Sequence, residues 1–167
     1  QGPVDLVKLL SVPGAQFKEI LRPVNQVSGQ LQVAPTVSIG GYYQFEWRPT
    51  QIPGAGSYLS SYDAAGAGAT AFLVAPTNSG APAFITQPDM KAKNSGQGGM
   101  QVKWAPAGSD VEYGFYAARY HDKSPYFYLG FAPAFPPGAP ATVQAVYAEN
   151  IRTFGVSAST VLLGVNV

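Results

Sequence analysis

The chain of 167 residues has no cysteine, one histidine and little charge. Without cysteine there is no disulfide framework and no thiolate metal site, which excludes the small disulfide-stapled scaffolds and leaves cytosol, periplasm and outer membrane open. Charged residues make up 11% of the sequence, against about 25% in an ordinary soluble domain. A net charge of +1 provides no field to attract nucleic acid. Mean hydropathy is +0.03, and no run reaches the roughly 18 to 20 apolar residues of a spanning helix. A membrane β-barrel escapes that test, because its strands carry apolar residues only at alternate positions. Also absent are an initiator Met and a signal-peptide pattern at Gln1, so the expectation is a mature or excised segment.

In place of charge there are 19 Gly, 15 Pro, 10 Tyr and 9 Phe, a composition of strands and loops. Residues 1–24 read as a short helical, plug-like segment, with helical pieces over Val4–Leu10 and Ala15–Leu21 broken by Pro13 and Gly14. Residues 25–167 read as β-strands. Val27, Gly29, Leu31 and Val33 alternate with Ser28, Gln30 and Gln32; after a tight turn, Val37, Ile39, Gly41, Tyr43, Phe45 and Trp47 alternate with Ser38, Gly40, Tyr42, Gln44, Glu46 and Arg48. A strand of that length would reach about 35 to 40 Å, enough to cross a bilayer at a tilt. Met100, Val102 and Trp104 oppose Gln101 and Lys103; Val111, Tyr113, Phe115 and Ala117 oppose Glu112, Gly114, Tyr116 and Ala118. A last strand over Ile151–Thr160 sets Phe154, Val156 and Ala158 against Thr153, Gly155, Ser157 and Ser159. Between these come long connections at about 49–96 and 122–148, rich in Gly, Pro, Tyr and Phe. Short and long connections alternate, as periplasmic turns and extracellular loops do in bacterial barrels.

The fold class expected is therefore all-β, a segment of an antiparallel transmembrane up-and-down barrel. Gln30, Gln32, Gln44, Glu46, Arg48, Gln101, Lys103, Glu112 and Tyr116 are candidates for a water-filled lumen, where charged members select solute or simply pair across strands. Tyr43, Phe45, Trp47, Met100, Trp104, Tyr113 and Phe115 are candidates for the lipid face or its aromatic girdle, with core aromatics as the competing reading. Tyr58, Tyr126, Phe127 and Tyr128 are loop candidates for ligand contact, with Phe131 beside them. A soluble secreted β-sandwich that binds ligands through such aromatics shows the same alternation; the Ser, Gln, Gly and Tyr of the polar positions favour a lumen over a wet outer surface. His121 at a strand end reads as a solvated imidazole. No nucleophile elbow, zinc-binding helix or phosphate loop is present, and AAGAGATAF at Ala64–Phe72 lacks the strand and lysine of a nucleotide loop. No enzyme activity, metal or cofactor is expected.

Several stretches together resemble a family of large Gram-negative outer-membrane proteins, domain-of-unknown-function family 1302. They are PVDLVKLLSVPGAQFKEILRPV, YYQFEW with the GSYLSSYD that follows, NSGQGG, YHDKSPY and ENIRTFG. Matching residues include Pro13, Gly14, Lys18, Glu19, Pro23, Tyr43, Gln44, Phe45, Trp47, Ser57, Tyr58, Asp63, Gly66, Ser95, Gly96, Gln97, Gly99, Tyr120, His121, Pro125, Tyr126, Ile151, Arg152 and Gly155. The resemblance implies an outer-membrane location, contact with membrane lipid and lipopolysaccharide, and association with an inner-membrane transporter system that handles hydrophobic compounds. It carries over no catalytic residue. Family members are several times longer, and a barrel needs about eight strands to close, so the expectation is that the remainder of the barrel lies outside this segment.

Overall fold

The computed structural model describes residues 2–60, 66–72, 84–130, 141–162 and 165–166. It is mostly β and divides into two compact units, one of Gln1–Pro23, Arg48–Ala92 and Asp122–Ala148, the other of Val24–Trp47, Lys93–His121 and Glu149–Val167.

In chain order the elements are α1 (Leu6–Ser11), α2 (Phe17–Ile20), β1 (Gln26–Ala34), β2 (Val37–Gln44), β3 (Ala71–Phe72), β4 (Phe84–Met90), β5 (Gln97–Trp104), β6 (Val111–Tyr120), β7 (Tyr126–Gly130), β8 (Ala141–Val146), β9 (Ile151–Leu162) and β10 (Val165–Asn166).

The second unit is one antiparallel sheet of six strands in the order β1-β2-β5-β6-β9-β10. The two-residue link of Pro35 and Thr36 joins β1 to β2, and the Thr36 carbonyl accepts the Ala105 N–H at the start of the next turn. That turn closes with Ser109 N–H on the Pro106 carbonyl and Gly108 at φ 78°, a conformation glycine adopts at no steric cost. A bulge at Val33 shifts the β1–β2 register. Among the described residues the outer edge of β1 has no strand partner, so the sheet is open there.

β2 ends at Gln44 rather than at Arg48. Phe45 N–H still donates to the Asn25 carbonyl, but beyond it Asn25 N–H donates to the Glu46 carboxylate and Trp47 N–H to Asn94 Oδ1, so bonds to side chains replace the ladder. The eight residues of β2 span about 26 Å instead of the 35 to 40 Å expected.

In the first unit the N-terminal segment is tied down rather than left as an isolated helix. Asp5 caps α1 by accepting the Lys8 N–H at 2.9 Å, and the backbone of Asp5 and Arg22 bonds to Ile20 and Pro3 across a bridge between Val4 and Leu21. Gln51 exchanges backbone bonds with Val4 and Leu6. The stretches expected to be plain loops contain a second sheet, β3-β4-β8-β7, in which β4 and β8 run parallel and the other pairs antiparallel. The strand signals there are short and interrupted by Pro88 and by Gly- and Ala-rich runs, so no clean alternation announces them. This unit's small apolar core includes Ile20, Val143 and Tyr147.

Candidate functional site

The register of the six-stranded sheet sorts its side chains into two faces. On one face Leu31, Ile39, Val102, Phe115 and Val156 stand in a row across five strands, and Gly29, Gly41, Met100, Ala117 and Phe154 form the adjacent row. These side chains are uncovered: Leu31 is 66% exposed, Met100 60%, Phe154 77% and Val156 75%. Soluble monomers rarely leave a contiguous apolar face of this kind open to water. Arg119 and Arg152 oppose each other at one end of the face; Trp104 and Tyr113 oppose each other toward the other, ring centroids 5.7 Å apart. From Arg119 to Val111 the face is eight residues, about 26 Å along the strand, and at a tilt of about 40° gives a band of about 20 Å. That is slightly narrower than the ~25 Å band of outer-membrane barrels.

The opposite face carries Ser28, Tyr42, Gly99, Ala118 and Thr153 in one row and Gln30, Gly40, Gln101, Tyr116 and Gly155 in the next. Here glycines lie under large polar side chains. Tyr42 covers Gly99, Gln101 covers Gly40, and Tyr116 covers Gly114, so that a Cβ on any of the three glycines would collide with the group above it. Tyr116 Oη and Ser157 Oγ are 3.3 Å apart. The result is a shallow depression of about 540 Å³ floored by backbone and rimmed by the Ser28, Tyr42 and Tyr116 hydroxyls and the Gln30 and Gln101 amides.

Of the residues the sequence marks for a lumen, Gln30, Gln32, Gln44, Gln101, Lys103, Glu112 and Tyr116 share this face. Gln44 is buried and donates to Gln26 Oε1. Lys103 Nζ and Glu112 Oε1 pair at 3.1 Å with both side chains more than a third exposed, so solvent screens most of their attraction. Glu46 lies past the end of β2, and Arg48 belongs to the first unit, so neither joins the face.

Of the residues marked for lipid or girdle, Tyr43, Met100, Trp104, Tyr113 and Phe115 share the apolar face. Phe45 is exposed just beyond β2, its ring edge-on to Tyr43 at 5.1 Å. Trp47 departs from the expectation: it is 6% exposed and off the strand, because the chain leaves the ladder before reaching it. The most exposed members of the face, Phe154 and Val156, were not among the candidates, although the same alternation marks them.

Tyr58 is fully exposed, and Tyr126, Phe127 and Tyr128 are exposed on β7 rather than on a loop. Tyr126 Oη donates to Asp122 Oδ2 at 2.9 Å. Phe131 lies outside the described residues.

His121 also departs from the expectation of a solvated ring, being 1% exposed. Its Nδ1 accepts the Asn150 N–H at 2.9 Å, which requires an unprotonated nitrogen, so Nε2 carries the hydrogen donated to the Ser95 carbonyl at 2.9 Å. Asn150, at φ 61°, in turn accepts two bonds from the Arg119 guanidinium. The histidine thus ties three segments of the second unit together, and both ring nitrogens are engaged in structure rather than offered to a substrate.

Among the described residues no group of three or more His, Asp or Glu could hold a metal ion. Nor, among the described residues, is any helix long and apolar enough to cross a membrane, which leaves strand-crossing untouched. No curated protein and no solved structure matches the chain. A family model does, over residues 1–167: the chain belongs to the family described as protein of unknown function DUF1302.

Proposed function

We propose that the six-stranded sheet is part of the wall of a bacterial outer-membrane β-barrel that passes or binds hydrophobic or amphipathic small molecules. The observation that carries this reading is the exposed apolar face set, strand by strand, against a face of Gln, Ser, Tyr and Gly. Water on both sides of such a sheet would leave Leu31, Phe154 and Val156 solvated, at a cost of roughly 1.5 to 3 kcal/mol for each side chain not buried. Acyl chains on one side and a wet lumen on the other remove that cost. In this reading membrane lipid and lipopolysaccharide contact the apolar face, further strands of the same barrel continue the sheet, and an inner-membrane transporter system supplies or accepts the solute. The competing soluble sandwich requires a second layer over the apolar face, and the openness of that face argues against it.

The test is nitroxide labelling of the intact protein in bilayers, one label at a time at Leu31, Phe115, Phe154 and Val156 and at Gln30, Gln101 and Thr153. The expected result is collision with oxygen for the first set and with a water-soluble nickel chelate for the second. Equal access to the chelate on both faces would refute the proposal.

A further inference from the structure

The first unit holds a cavity of about 610 Å³ between the N-terminal segment, residues 49–59 with Gly66 and Ala67, and the end of β8. That size is within the range that takes up most of a small molecule's surface. Val7, Ile52, Leu59 and Ala145 line it, and among the described residues Arg22 is the one charged member of its wall. The main chain of Arg22 is tied to the N-terminal segment, its backbone N–H donating to the Pro3 carbonyl at 2.9 Å, and one guanidinium nitrogen, Nη1, donates to the Pro49 carbonyl at 3.1 Å. This uses a small part of its five-donor fork. Among the described residues no carboxylate pairs with Arg22. Tyr147, also on the wall, is buried, and desolvation pushes its phenol upward, so it stays neutral and offers no competing anion.

A cation in a largely apolar recess, with no counter-ion among the described residues, selects a ligand of one chemistry, because the charge gains most from an anionic group and the walls gain most from hydrocarbon. We infer that this cavity binds a monoanionic amphiphile, Arg22 pairing with a carboxylate or phosphate headgroup while the apolar wall takes the chain. The inference rests on the reading that the protein handles amphipathic molecules, but not on the sheet's facing lipid.

The experiment is fluorescence titration of the intact protein in phosphatidylcholine nanodiscs with cis-parinaric acid, empty discs serving as the blank, followed by displacement with dodecanoate, dodecyl phosphate, dodecanol and dodecyltrimethylammonium. Displacement by either anion at about a tenth of the concentration needed for dodecanol, with the cation weaker still, is expected from a charge-assisted bond. Comparing the two anions distinguishes a free carboxylic acid from a phosphate-bearing lipid, and preference for either supports the assignment. Arg22→Gln should weaken anion binding about tenfold while leaving dodecanol unchanged, Arg22→Lys should restore most of it, and Val7→Trp should abolish binding of all three by filling the cavity. Melting temperatures near that of the wild type confirm that the variants fold. Anion binding indifferent to both Arg22→Gln and Val7→Trp would overturn the site alone. Failure of the wild type to bind any of the amphiphiles would also remove the ligand class proposed above, while the labelling pattern on the sheet would still decide its membrane role.

Discussion

The ring of Tyr42 lies directly over Gly99, its opposed partner on the neighbouring strand, so close that a Cβ on Gly99 would stand 2.6 Å from Tyr42 Cε1. The Ala117 carbonyl, 3.2 Å from the same point, closes off the other side. Glycine is needed here for the space it leaves and not for a special backbone angle. Gly99→Ala should therefore cost about 1 to 2 kcal/mol, since the ring must leave its seat. The pairing makes the effects non-additive: in a Tyr42→Ala background the same change should cost much less, which equilibrium urea unfolding of the four proteins of the cycle measures. Equal costs in both backgrounds would show that the ring does not occupy the glycine's space.

His121→Ala should be more damaging than an ordinary strand-end substitution. It removes the acceptor of the Asn150 N–H and the donor to the Ser95 carbonyl at once, and each group left unpaired in a buried site costs about 1 to 3 kcal/mol. The expected loss is roughly 2 to 4 kcal/mol in urea unfolding. A loss under about 0.5 kcal/mol, typical of a surface position, would restore the solvated ring expected from sequence.

The two cases show what a sequence of this kind discloses. Alternation in Leu31, Ile39, Val102, Phe115 and Val156 was readable because a strand's side-chain period is two, and a row of such residues needs only correct register to become a face. The end of β2 is not readable: YYQFEWR keeps the alternation through Trp47, and what stops the pairing is that the Glu46 carboxylate takes the Asn25 N–H of the neighbouring segment while Asn94, far in sequence, takes the Trp47 N–H. His121 was misplaced for the same reason, since the groups that bury it, Ser95 and Asn150, are 26 and 29 residues away. The second sheet leaves no sequence signal because β4 and β8 pair in parallel, with no turn between them to mark the pairing. Arg22 directly follows the helical piece Ala15–Leu21, and only the fold of residues 49–59 around it makes a cavity.

Lys123 is 3% exposed in the first unit, and burial lowers its pKa from 10.5 to about 8, with Asp122 partly opposing the shift. Between about pH 8 and 10.5 the unfolded chain therefore holds a proton that the folded chain has released, so stability rises with pH across that window. Tyr147 acts in the opposite sense, but only above its ordinary value near 10, where the unfolded phenol ionises first. Measured from pH 7.5 to 9.5, the unfolding free energy of the wild type should climb and that of Lys123→Met should stay flatter. Parallel profiles would remove Lys123 as the source.

Val156 and Gln30 give the sharpest contrast between a lipid-facing and a wet sheet. Val156 is 75% exposed, sits in the central row of the apolar face and belongs to a strand, β9, whose neighbours in that row are all apolar. In water, arginine at so exposed a place would change stability by less than about 0.5 kcal/mol. At the middle of a bilayer the same substitution costs about 2 to 4 kcal/mol, because the guanidinium must be carried into hydrocarbon or pull water in with it. Gln30 projects from the opposite face, where a charge would meet the Ser, Gln and Tyr groups around it. Val156→Arg should therefore lower the free energy of folding into phospholipid vesicles by about 2 to 4 kcal/mol, and Gln30→Arg should leave it within about 0.5 kcal/mol. Equal, small effects at both positions would mean that water lies on both faces, and the barrel-wall assignment would have to be abandoned.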